Sequence, residues 1–316
     1  MLRFFNDNKP YILFVLPLLL GGFLACQFFL EGQNIPTDIP MGLWGNVALS
    51  QALIPYSLAL GYVLQLVIAI TINFIFNETN CHERNNYLPS LLSITLMAAL
   101  PNYVAFNSLH MTILGLLFCL QQMLKLDQNN PGGKHLFNAA FFYSISTSFF
   151  PVLIFGIPIL YVLGLIFRPF NLRELSIFLL GPILVSIYVF AFRAYFEVPY
   201  FWRDVYSMHE RLVGNSSAYF LWTFILSMAL VTIYSLSAKW NSFSNRARKE
   251  LQLLLGVLLG ISLCLWVNIH FALGLLVLPL AMLFTLTFLD KRTKSWSSVI
   301  SYGLWAFIFV KFLFKT

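Results

Sequence analysis

Two groups of charged residues in this sequence have the types and spacing to act on a phosphate-bearing, hydroxyl-rich substrate. The first is a pair of acids, Glu31 and Asp38, in a Gly- and Pro-containing stretch from Glu31 to Asn46 that holds no Lys or Arg. A carboxylate without a cation beside it can take a proton from an attacking hydroxyl, which is the work of a general base. The second group runs from Arg193 to Arg211. Arg193, Arg203 and Arg211 suit phosphate, because a guanidinium stays charged and donates hydrogen bonds in pairs. Glu197, Asp204 and His209 lie among them and complete the candidate binding set. Arg193 and Glu197 are four apart, the spacing that pairs charges on one helical face.

Other reactive side chains do not assemble into a site. Cys81-His82-Glu83-Arg84 groups ligand types without ligand geometry and reads as a solvated loop. The five histidines show no metal-binding spacing, so no metal and no other cofactor is expected. Cys26, Cys81, Cys119 and Cys264 lie far apart and form no disulfide framework. Asp127 to Lys134 is a Pro-Gly turn that lacks the phosphate-loop pattern.

The elements that must carry these residues can be read from composition. Of 316 residues, 59% are hydrophobic and only 10% charged, against about a quarter charged in a soluble domain. Apolar runs long enough to cross about 30 Å of hydrocarbon recur along the whole chain, and no connection is long enough for a separate aqueous domain. The expected fold is therefore an all-α polytopic bundle forming one domain over 1–316. Helices are placed near 11–30, 52–76, 88–105, 108–126, 135–150, 152–167, 175–196, 218–238, 251–267, 272–289 and 299–314. The first is read as a retained helix, since its apolar run is too long for a signal core.

Charge sets the orientation. Eleven crossings with the N-terminus inside put Arg3, Lys9, Arg84, Lys125, Lys134, Arg168 and Arg173 on the inner side. Lys239, Arg246, Arg248, Lys249, Lys291, Arg292 and Lys294 join them, leaving five basic residues outside. Fusing the apolar stretches 88–126, 135–167 or 251–289 gives nine or ten crossings and a weaker or reversed bias. The basic cluster Asn245 to Glu250 reads as an anchor against anionic lipid headgroups. A net charge of +7 spread over short loops points to topology and lipid, not to nucleic acid. Residues 199–213 form the one expected interfacial helix. Phe201, Trp202, Val205, Tyr206, His209 and Leu212 make its apolar stripe, opposite Arg203, Asp204, Ser207, Glu210 and Arg211.

Three stretches resemble an uncharacterised family of polytopic inner-membrane proteins from Bacteroidota. They are Asn85-Asn86-Tyr87-Leu88-Pro89, Leu136-Phe137-Asn138-Ala139-Ala140-Phe141-Phe142 and Arg168-Pro169-Phe170-Asn171-Leu172-Arg173-Glu174. The resemblance implies a bacterial inner membrane with periplasm on the outer side, and it brings no catalytic residues. The overall plan is also similar to membrane glycosyltransferases of the type-C fold, which use polyprenyl-phosphate sugars and carry an acid in the first periplasmic loop. Asp38 matches that acid in position, on a loop much shorter than theirs. These resemblances imply a role in envelope biogenesis, as a glycosyltransferase or polymerase acting on a polyprenyl-phosphate-linked glycan at the periplasmic face. Asp38 or Glu31 would be the base, and the arginines the phosphate ligands. The alternatives are a non-catalytic subunit that anchors or assembles an envelope complex with protein partners, and a lipid or solute transporter. Scarcity of ionisable groups within the spans disfavours proton-coupled transport.

Overall fold

The computed structural model describes residue 5 and residues 12–31, 38–48, 53–79, 81–82, 86–100, 106–127, 132–169, 171–198, 216–264, 269–290 and 292–314. Eleven α-helices lie among the described residues. They are α1 (Ile12–Glu31), α2 (Ile54–Glu78), α3 (Leu88–Ala99), α4 (Ser108–Leu124), α5 (Gly133–Phe149) and α6 (Gly156–Gly164). Then come α7 (Leu172–Tyr195), α8 (Ser216–Lys239), α9 (Asn245–Cys264), α10 (Ile269–Leu289) and α11 (Lys294–Phe314). Among the described residues the fold is all-α apart from one small antiparallel hairpin, β1 (Asp38–Pro40) with β2 (Asn46–Ala48).

Local chemistry sets the helix ends. Pro55 and Pro89 sit in the first turns of α2 and α3, where a missing N–H leaves no helical bond unmade. Asn107 caps α4, its Oδ1 accepting from the N–H groups of Leu109 and His110, while the His110 ring faces the Asn107 N–H in return. That histidine is fully buried and belongs to a cap. Asn86 and Asn77 exchange two backbone–side-chain bonds (3.1 and 3.2 Å) across the α2–α3 turn, so Asn86 serves as a turn lock.

Successive helices run in alternate directions. Tyr143 Oη donates to the Leu153 carbonyl (2.9 Å), and a Cβ on Gly164 would touch Leu136, so α6 doubles back along α5 after Pro151. At one end Arg246 donates to the carbonyls of Leu124 and Leu126, Arg168 to that of Asp127, and Lys239 pairs with Asp290. This basic end gathers the loops after α2, α4, α6, α8 and α10. At the opposite, hairpin end, Phe106 N–H donates to Ser57 O, and Trp44 meets Ser148.

α10 is apolar all round and buried along its length from Leu273 to Phe288, which makes it the central helix. On the outside the pattern inverts. Phe14, Leu18, Tyr56, Ile187, Tyr188, Leu226, Tyr234 and Val299 are all more than half exposed. A water-facing monomer does not present so continuous an apolar surface, whereas a lipid-facing one must. α2, α7 and the stretch Thr223–Ser242 are each long and apolar enough to cross a membrane.

Three expectations need correction. The helix placed at 88–105 ends at Ala99, where Leu100 turns extended, and α6 has nine residues after a five-residue 3-10 turn. Both are shorter than the roughly 20 residues of a full perpendicular span. The cluster from Asn245 to Glu250 is the first two turns of α9, and Arg246 points into the protein, bonded to Glu250 and set over the Phe167 ring. The Gly- and Pro-containing segment after α1 contains the β-hairpin. The interfacial helix at 199–213 falls outside the described residues.

Candidate functional site

The hairpin end builds its site on close helix packing. α5 lies between α4 and α7, and each approach needs a glycine. A Cβ on Gly115 of α4 would collide with Ser146 Oγ, and one on Gly181 of α7 would lie 2.7 Å from Phe141 N. Small residues at a crossing let helix backbones come together where no hydrophobic force drives them. Ser146 completes the α4 contact by donating to Thr112 O (2.9 Å). The other face of α5, carrying Ser144, Thr147 and Ser148, turns toward α7.

Over that face sits the tip of the hairpin. A 3-10 turn, Gly42–Trp44, joins the strands, with positive φ at Gly42 (62°) and Gly45 (92°). Gly42 rests on the end of α5, where a side chain would drive into the carbonyls of Phe149 and Ser148. Trp44 Nε1 donates to Ser148 Oγ (2.8 Å), and its ring stands edge-on to Phe192 at 4.9 Å. Arg193, 7% exposed, donates from Nη1 to the Leu43 carbonyl (3.1 Å). A tryptophan and an arginine thus clamp the first connecting segment onto α5 and α7.

Beneath the clamp a cavity of about 240 Å³ separates α5 from α7. Leu43 and Arg193 line its upper part, with Ser144, Thr147 and Ser148 on one wall and Val185, Val189 and Pro182 on the other. Ser144, Thr147 and Ser148 donate their protons to the carbonyls of Ala140, Ser144 and Ile145, so their oxygens can accept but their hydrogens are committed. The chamber therefore offers a cation at one end, acceptors along one wall and hydrocarbon along the other. Ser186, Ile154 and Phe190 also line it and are themselves exposed, so it opens sideways through the helix wall.

One expected site residue, Arg193, is joined to the first connecting segment. Arg193 and the segment that holds Asp38 converge through the Leu43 bond. Asp38 opens β1, its backbone in register with Ala48, and Glu31 is the last residue of α1. Glu197 departs from expectation. α7 ends at Tyr195, Val198 N–H closes back onto Arg193 O (3.1 Å), and Glu197 occupies the turn at φ 52°. This is the reversed-turn helix stop in which glycine is usual, so the helical four-residue pairing with Arg193 is not continued. Glu197 is exposed. Arg203, Asp204, His209 and Arg211 lie outside the described residues. Among the described residues no three His, Cys, Asp or Glu side chains cluster as metal ligands.

The hydroxyl wall is a feature that the charged motifs do not announce. Its signal is present in Ser144-Ile145-Ser146-Thr147-Ser148, four hydroxyl residues in five positions inside an apolar run. At the basic end, Cys81 is buried, and burial together with the nearby Glu250 carboxylate pushes its thiol up to about 12, so it stays protonated and inert. No protein-family model matches the chain, and neither a curated protein nor a solved structure proved similar to it.

Proposed function

We propose that the chain is a multi-pass protein of the bacterial inner membrane, crossing it eleven times with its N-terminus inside. In this reading it works in cell-envelope biogenesis, as a glycosyltransferase or polymerase on a polyprenyl-phosphate-linked glycan at the periplasmic face. The observation that carries the proposal is the seating of Leu43 on Arg193, which joins the acid-bearing segment to a nearly buried guanidinium. A charge kept at the end of an apolar helix is costly, so a guanidinium retained there marks a group with work to do.

The chemistry is a transfer at a sugar carbon. Asp38 or Glu31 takes the proton of an acceptor hydroxyl, whose oxygen attacks the anomeric carbon. The bond from that carbon to the phosphate oxygen breaks, and the electron pair leaves with the polyprenyl phosphate. Arg193 stabilises the charge that grows on the leaving phosphate. By sequence, Arg203 and Arg211 complete the candidate phosphate set, with Glu197, Asp204 and His209; all of these but Glu197 lie outside the described residues.

Complementation of a deletion strain tests the assignment. Asp38→Asn and Arg193→Gln are each expected to abolish function at normal protein level, with a lipid-linked intermediate accumulating, and the double variant to be no worse. A non-catalytic subunit would tolerate Asp38→Asn. Full complementation by both single variants would sink the enzymatic reading.

A further inference from the structure

We infer that the cavity between α5 and α7 is a lateral binding site for a phosphate-bearing lipid, entered from within the membrane and not from the aqueous end. The inference rests on the proposed membrane placement and names the part of the substrate that this site would hold. α7 is one of the helices long and apolar enough to cross a membrane, so its exposed face is the one lipid would meet. Ser186, Ile154 and Phe190 on that exposed surface are also cavity-lining residues, so the opening lies on the lipid side.

The polarity of the chamber selects the occupant. Arg193 belongs to the last turn of α7, at headgroup depth if α7 spans, and supplies the cationic pole. From Arg193 down to Pro182 the lining continues for three turns, about 16 Å along the axis. Over that length Val185 and Val189 give a hydrocarbon wall. A free anion would gain nothing from those three turns, and a neutral lipid nothing from the arginine. A single chain ending in a phosphate matches both. The oxygens of Ser144 and Thr147 face the same space as acceptors for hydroxyl donors on the headgroup, since their own protons are held by helix carbonyls.

The test uses the full-length protein in phosphatidylcholine nanodiscs doped with a long-chain polyprenyl monophosphate, the matching polyprenol or inorganic phosphate, read by native mass spectrometry of retained lipid. Wild type should retain the monophosphate at least about tenfold better than the alcohol, the scale of one charge-assisted hydrogen bond. Inorganic phosphate should not compete. Arg193→Gln keeps a donor for Leu43 and should reduce the monophosphate to the level of the alcohol, whereas Arg193→Lys should preserve the preference. Ser186→Trp, on the exposed rim where folding tolerates bulk, should block retention of both lipids. Equal retention of phosphate and alcohol, an unchanged Arg193→Gln variant, or full competition by inorganic phosphate would each overturn the lateral site. Loss of lipid binding with a dead Asp38→Asn strain would discard this site and leave the enzymatic reading. Lipid binding with a healthy Asp38→Asn strain would do the reverse.

Discussion

Arginine and lysine side chains at the basic end are structural fasteners, and the carboxylate of one such pair sets a pH dependence. Lys239 Nζ lies 3.0 Å from Asp290, whose carboxylate is 2% exposed and also accepts from Ser235 Oγ (2.9 Å) and the Arg292 N–H (3.2 Å). Burial alone would favour the neutral acid, but the Lys239 bond, the Arg292 N–H and the Ser235 hydroxyl outweigh it and hold the carboxyl below its ordinary range. A group whose folded pKa lies below its unfolded value stabilises fully above the unfolded value, near pH 4, and loses that contribution as pH falls through the folded one. Asp290→Asn is therefore expected to lower stability by about 1–3 kcal/mol at neutral pH, between the values for exposed and fully buried pairs. Thermal unfolding in detergent should show the gap between variant and wild type closing below pH 4. A gap that persists at pH 3 would mean that packing, not charge, holds this corner. The basic residues are legible in the sequence as a charge bias, yet their partners are not. Arg246 grips carbonyls more than a hundred residues away, and single-sequence spacing carries no record of contacts that distant.

Among the positive-φ positions described at the hairpin end, Gly42 and Glu197 are of opposite character. Gly42 (φ 62°) is filled by the residue that suits it, and a Cβ there would also strike the end of α5. Glu197 (φ 52°) places a side chain where glycine is usual. Gly42→Ala is expected to cost about 2 kcal/mol or more, since backbone strain of roughly 1–2 kcal/mol adds to the clash. Glu197→Gly should stabilise by up to about 1 kcal/mol through relief of the same strain. Denaturation midpoints of the two variants must then move in opposite directions, and a shared direction would refute this account of the clamp. Helices are far more legible than this site. Apolar runs, Pro151 and the Asn107 cap locate elements by local chemistry that a sequence states outright. The hairpin is hidden because its strands are three residues long, and its stability comes from Trp44 and Arg193 reaching other elements. Nothing in the spacing of Trp44 and Ser148, 104 residues apart, announces that they meet.

At the scale of the whole molecule, charge and packing bear independently on one topology. The bias of basic residues depends on helix boundaries alone, with the splits of 88–126, 135–167 and 251–289 as its weak points. The fold makes all three splits by geometry. Phe106 N–H meets Ser57 O at the hairpin end, α6 doubles back on α5 after Pro151, and Leu109 packs against Gly274 near the start of α10. Loops assigned to one side by charge are the loops that Arg168, Arg246 and Lys239 tie together. If the bundle inserts as its charges direct, those loops face the cytoplasm. Reporter tags at Lys134, Asn245 and Lys294 should then register as cytoplasmic, and tags at Asp38 and at Gly214, which lies outside the described residues, as periplasmic. The short helices α3 and α6 make this a demanding test. Each falls below a full span by itself, so each must be carried across by packing against longer neighbours and by the chain that continues it. A cytoplasmic signal at Gly214 together with a periplasmic one at Asn245 would mean that one of them fails to cross. It would also move the Arg193 clamp and its cavity to the opposite face of the membrane.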